Sequence, residues 1–167
     1  TVLRSPLPDP PTQSDEKTTL CAFLDWYRDS MVRKIEGLDR EQLTRRLVPS
    51  ATTLLGMVKH LAYVERGWFQ ITFLGELLYR PGRDGGREDE FRVEDDESAA
   101  TILALYRQEA SRSRDIVAAA SLDAHARRAD PREFTPRWIM VPMIEETARH
   151  VGHADILREL IDGVAGE

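Results

Sequence analysis

Apolar positions recur at three- and four-residue intervals through four long stretches of this chain, the period of helices that bury one face. In the first, from Lys17 to about Gly37, they fall at Leu20, Phe23, Leu24, Tyr27, Met31 and Ile35, and Gly37 marks the stop. A second opens after the candidate caps Ser50, Thr52 and Thr53, carries Leu54, Met57, Leu61, Val64, Trp68, Ile71 and Leu78, and ends before Pro81-Gly82. The third begins near Ser98 and presents Ile102, Leu105, Tyr106, Ile116 and Val117 before fading around Ser121. The fourth starts between Trp138 and Pro142, since proline is tolerated in a first turn, and runs through Ile161 to Gly163. Tandem repeats, alternating strand patterns of useful length and glycine-rich nucleotide loops are absent. The pattern predicts an all-α four-helix bundle, a single domain over residues 16–167.

The segments between the helices add little chemistry at first sight. Thr1 to Asp15 carry Pro6, Pro8, Pro10 and Pro11 and read as an extended arm. Residues 38–50 form a charged connector, and the polar link before the fourth helix holds Pro131 and Pro136. Arg80 to Glu97, rich in Gly, Asp and Glu, reads as a long solvated loop without the spacing of an EF-hand. Acidic side chains outnumber basic ones, 29 to 23, for a net charge of -6, which argues against a nucleic-acid partner bound by phosphate neutralisation. No run approaches the ~20 apolar residues of a membrane span, and the N-terminus lacks a signal pattern. With Cys21 as the lone cysteine no intrachain disulfide can form, so a reducing, cytoplasmic setting is expected. Cys21 lies in an apolar run, where a core thiol is the expected role.

The informative residues are polar ones on the buried faces. Projected at 100° per residue, His60 shares its angular position with Leu78 and lies about 20° from Ile71, so it points inward. On the fourth helix His150 lies about 20° from Met143, Leu157 and Ile161, with Glu146 about 40° and His153 about 60° to one side. Burying such groups unpaired costs about 1 to 3 kcal/mol for a neutral polar group and more for a carboxylate. A divalent metal would compensate. Glu146 and His150 at i, i+4, and His150 and His153 at i, i+3, each bring two side chains to one helix surface, and His60 would complete a set of imidazole and carboxylate ligands with positions left open. The plainer readings are a hydrogen-bonded core histidine at 60 and a rim glutamate at 146 pairing with Arg149 or Arg158. His125 sits in a polar connector, as histidines without such a role do.

The run Leu54-Leu55-Gly56-Met57-Val58-Lys59-His60-Leu61-Ala62-Tyr63-Val64-Glu65, followed by Trp68, resembles the second helix of the DinB/YfiT-like superfamily of bacterial metalloenzymes. Glu145 through Glu159, which includes Glu146, His150, His153 and Asp155, resembles the fourth-helix signature of one of its branches. The similarity spans roughly residues 15–163. It implies a DinB-like up-up-down-down four-helix bundle whose metal triad takes one histidine from the second helix and two ligands one turn apart from the fourth. By position His60 and His150 are the first two ligands, with Glu146 and His153 competing for the third. Zinc or nickel is the implied metal. Members related to mycothiol-dependent maleylpyruvate isomerase and thiol S-transferases imply a low-molecular-weight thiol, mycothiol or bacillithiol, as cofactor, with Arg149 and Arg158 as candidates for binding its acidic groups.

The first functional expectation is therefore a metal-dependent enzyme that transfers or isomerises a small-molecule substrate through such a thiol. A second is a non-catalytic metal-binding or structural bundle, with Trp68, Phe69 and Phe73 serving a homodimer, although ordinary core accounts for the same aromatics. The third is a metal-assisted hydrolase, with Glu146 as base where it is not a ligand.

Overall fold

The computed structural model describes residues 7–82, 86–130 and 132–165. Helix α1 (Glu16–Ile35) is capped by Asp15, whose carboxylate accepts from the Thr18 N–H. The charged connector contains a short helix α2 (Arg40–Thr44) opened by a capping box between Asp39 and Gln42. Helix α3 (Leu54–Glu65) starts at the Thr53 cap. It continues directly into a π-helical stretch, Arg66–Phe73, rather than running as an α-helix to Leu78. Beyond it the apolar pattern no longer means burial: Gly75 adopts a left-handed φ of 73° and Leu77 is 96% exposed. Helix α4 (Ala99–Ala119) is capped by Ser98, as the sequence predicts. Helix α5 (Pro136–Asp162) starts earlier than expected, with Pro136 in its first turn, Pro142 inside it and Gly163 closing it at φ 76°.

The core has two halves. In one, Met31 of α1, Leu55, Met57 and Leu61 of α3, Ile102 and Tyr106 of α4 and Leu157 of α5 pack together. In the other, Leu24, Val64, Phe69, Val117, Ile139 and Met143 meet, with Trp68 and Phe73 part of the same cluster. The late residues of α1 and α5 thus share an end with the early residues of α3 and α4. Ion pairs agree: Glu16 with Arg137 and Lys34 with Asp155 run α1 parallel to α5, while Lys59 with Glu97 and Arg66 with Glu109 run α3 parallel to α4. The order of directions is up-down-down-up, which corrects the expected up-up-down-down order within the all-α DinB-like bundle.

The physical reason lies in the segment between α3 and α4. Arg66 donates to the Tyr79 carbonyl, Glu90 reaches His60, and the Lys59 ammonium donates to the Arg92 carbonyl and pairs with Glu97. The chain therefore travels back along α3 before α4 begins, so two consecutive helices can point the same way. Where the sequence reads as a solvated loop, the structure has a docked return segment with a 3₁₀ turn at Arg87–Glu90 and a buried Glu90.

Candidate metal centre

Helix α3 is buried almost all round, and His60 leaves it toward α5. Helix α5 presents Glu146 and His150 one turn apart on the facing surface. His60 Nε2 lies 3.1 Å from Glu146 Oε1, and His150 Nε2 lies 3.2 Å from the same oxygen. The two imidazole rings meet edge-on, with centroids 4.9 Å apart. One ligand atom from each of the three residues falls within 4.8 Å of the others. Bonds of about 2.0 to 2.1 Å in a tetrahedral site put ligand atoms about 3.3 Å apart, so the two short edges already match that spacing.

The second nitrogen of His60 is also held. Its Nδ1 lies 2.8 Å from Glu90 Oε2. Burial favours a neutral Glu90, but the hydrogen bond to His60 and the neighbouring Arg80 outweigh it and keep the carboxyl below its usual pKa. An ionised carboxylate only accepts, so Nδ1 carries the proton and donates. At His60 burial disfavours the charged ring, yet the hydrogen bonds to Glu146 and Glu90 prevail and raise its pKa. The hydrogen bonds from His150 and His60 hold the Glu146 carboxyl far below the ordinary range. Two carboxylates flanking one imidazole form a site that favours positive charge at its centre.

Phe91 stacks on His60 at 4.2 Å with the rings only 13° from parallel. This contact requires a close backbone approach that Gly56 permits, since a Cβ there would lie 2.3 Å from the Phe91 carbonyl oxygen. Lys59 and Tyr63 of α3 and Tyr79, Arg80, Arg92 and Glu97 of the return segment are among the residues lining a polar cavity of about 560 Å³.

The other residues singled out in the sequence lie elsewhere. His153 is exposed, its ring edge-on to His150 at 5.6 Å, and it stands outside the three-residue cluster. Arg149 is exposed and pairs with Glu145, with Nη1 3.8 Å from Glu146 Oε2. Arg158 lies two turns beyond His150, about 12 Å along the axis. Its guanidinium donates to the carbonyls of Lys34 and Glu36 and to Asp162, tying α5 to the end of α1. His125 is exposed, and Cys21 is half-buried with its thiol pushed up chiefly by burial. Sequence reasoning missed Glu90 and Arg80, because a segment without hydrophobic period gives no face on which to place a side chain.

Two imidazoles and a carboxylate converging from two helices suit a borderline-soft divalent ion, with further positions left for water or substrate. The His150 Nδ1 atom is buried without a hydrogen-bond partner, so whichever nitrogen carries its proton, this ring is incompletely satisfied by protein alone. The donor set, with one carboxylate oxygen placed between Nε2 of both imidazoles, fits a bound metal.

Residues 19–163 match the family described as Mycothiol-S-transferase. The chain belongs to the mycothiol S-transferase family. That family is DinB/YfiT-like, in agreement with the resemblance carried by the second and fourth helices. A comparison with curated proteins finds no match. Among the described residues, no helix is long and apolar enough to cross a membrane.

Proposed function

We propose that this protein is a metal-dependent S-transferase or isomerase using a low-molecular-weight thiol of the mycothiol class, with His60, Glu146 and His150 as the protein ligands of a zinc or nickel ion. The observation that carries the reading is one carboxylate oxygen shared at 3.1 and 3.2 Å between imidazoles from two helices, in a chain of this family. When bound, the metal supplies a Lewis acid that lowers the thiol pKa and raises the thiolate fraction at neutral pH. Transfer then joins the thiol sulfur to the electrophilic carbon of the substrate, the sulfur losing its proton and the carbon its leaving group.

The chain's own residues orient and shield. His60 is fixed by a proton held on Nδ1 and by the Phe91 ring, so Nε2 faces the centre. Both histidines are buried while Glu146 stays half-exposed, which keeps water from one side of the site and leaves approach along α5. The geometry favours Glu146 as a ligand over a free base, which weakens the hydrolase reading. His153, exposed beside His150, is a candidate to contact substrate rather than metal.

The test pairs purified, zinc-loaded protein with mycothiol and a chromogenic haloarene. A thiol-dependent rate above that of mycothiol alone, abolished by His60→Ala and by chelation, is expected. A rate no greater than that of the thiol alone, across mycothiol, bacillithiol and a panel of electrophiles, would overturn the reading.

A further inference from the structure

We propose that Glu90, clamped by Arg80, is a positioning residue that fixes the orientation and tautomer of His60 and thereby tunes the affinity of the metal centre. The proposal rests on the metal reading above. Its basis is hydrogen-bond geometry. Glu90 Oε2 accepts from His60 Nδ1 at 2.8 Å, and the Arg80 guanidinium meets both oxygens of the same carboxylate, with Nε 3.0 Å from Oε1 and Nη2 3.2 Å from Oε2. Arg80, Glu90 and His60 form an unbroken chain from the wall of the polar cavity to the centre. A carboxylate behind a ligating imidazole locks which nitrogen carries the proton and raises the basicity of the other.

A glycine lies against each part of this arrangement. A Cβ at Gly67 would lie 2.2 Å from Arg80 Nη1, so this glycine on the π-helical stretch makes room for the guanidinium. Gly56 admits the backbone of Phe91, the residue after Glu90. Gly82, at φ 74°, turns the chain where a Cβ would meet Glu90 Cγ at 2.9 Å. Of the three, Gly56 faces backbone, so a side chain there would displace the segment itself. Glu90 is 8% exposed, although it comes from a stretch composed like a solvent-facing loop.

The experiment measures zinc affinity by competition with a chromophoric chelator for wild type, Glu90→Ala, Glu90→Gln and Arg80→Ala, together with ¹⁵N NMR of the histidine side chains in the zinc-loaded proteins. Glu90→Ala should lose about 10- to 100-fold in affinity. Glu90→Gln, whose amide oxygen still accepts from Nδ1, should recover part of that loss, and Arg80→Ala should show a smaller one. In wild type the His60 Nδ1 proton should exchange slowly with solvent, and in Glu90→Ala it should exchange fast. A purely structural role would lower the melting temperature while leaving the zinc affinity and Nδ1 exchange of the folded protein unchanged, and that outcome overturns the proposal. Should Glu90→Ala fail to fold, Arg80→Ala decides: wild-type affinity with unchanged Nδ1 exchange refutes the clamp. Wild-type protein that binds no zinc overturns the metal reading and this inference together, whereas zinc-binding wild type with an equally tight Glu90→Ala overturns only the latter.

Discussion

Two buried polar clusters sit on helix α3 less than two turns apart, and they are finished to different degrees. At Glu65 the Arg28 guanidinium donates through Nε and Nη2 to the two carboxylate oxygens, both at 2.7 Å, and its Nη1 donates to Asp25 at 2.7 Å. Arg28 and Glu65 are each almost wholly buried, and opposite charges close the account. At His60 two imidazoles compete for one oxygen of Glu146, and the second nitrogen of His150 is left with no partner. The completed cluster is an element of structure. The incomplete one leaves a buried polar atom unpaired, and the same low dielectric that makes a paired charge strong makes that atom costly.

Several substitutions sharpen this contrast. The largest change is expected from His60→Ala combined with His150→Ala: elemental analysis of untagged protein should fall from about one equivalent of transition metal to none, while the metal-free fold persists by circular dichroism. Next, Glu65→Ala leaves Arg28 buried without its main partner and should cost about 3 to 5 kcal/mol in denaturant unfolding, with zinc affinity of the folded fraction unchanged. Zinc at a hundredfold excess over its Kd should raise unfolding free energy by about 2.7 kcal/mol, and a chelator should remove that gain in a melting experiment. Gly56→Ala drives a methyl into the Phe91 carbonyl and should cost about 1 to 3 kcal/mol while also weakening zinc binding. Arg149→Ala, whose ion pairs are exposed, should change stability by less than about 0.5 kcal/mol. A change in Km for the thiol in that last variant would give Arg149 a binding role that its present partners do not suggest.

The sequence made the helices legible because amphipathic period and capping residues act locally, and Thr53, Ser98 and Gly163 terminate helices as their chemistry predicts. It also brought His60, Glu146 and His150 onto compatible faces. The choice between Glu146 and His153 was not legible, because both lie to the same side of His150 and differ by only about 20° in projection. Helix packing turns Glu146 toward α3, where it meets both imidazoles, and leaves His153 exposed. The switch into a π-helix at Arg66 was invisible for a related reason. Its apolar residues keep a helical spacing, while the Leu74 N–H bonds the Phe69 carbonyl five residues back. Least legible was the return segment, where Glu90 and Arg80 are placed by contacts with each other and with His60 on α3, a distant stretch of chain.

The parallel run of α3 and α4 obliges the polypeptide to double back along α3, behind His60, before the bundle can be completed. A connection required by topology thus also buttresses an imidazole from the side opposite Glu146. Residues in such a strap, apart from the few that dock, are free of the four-helix packing, so divergence there would leave the bundle intact.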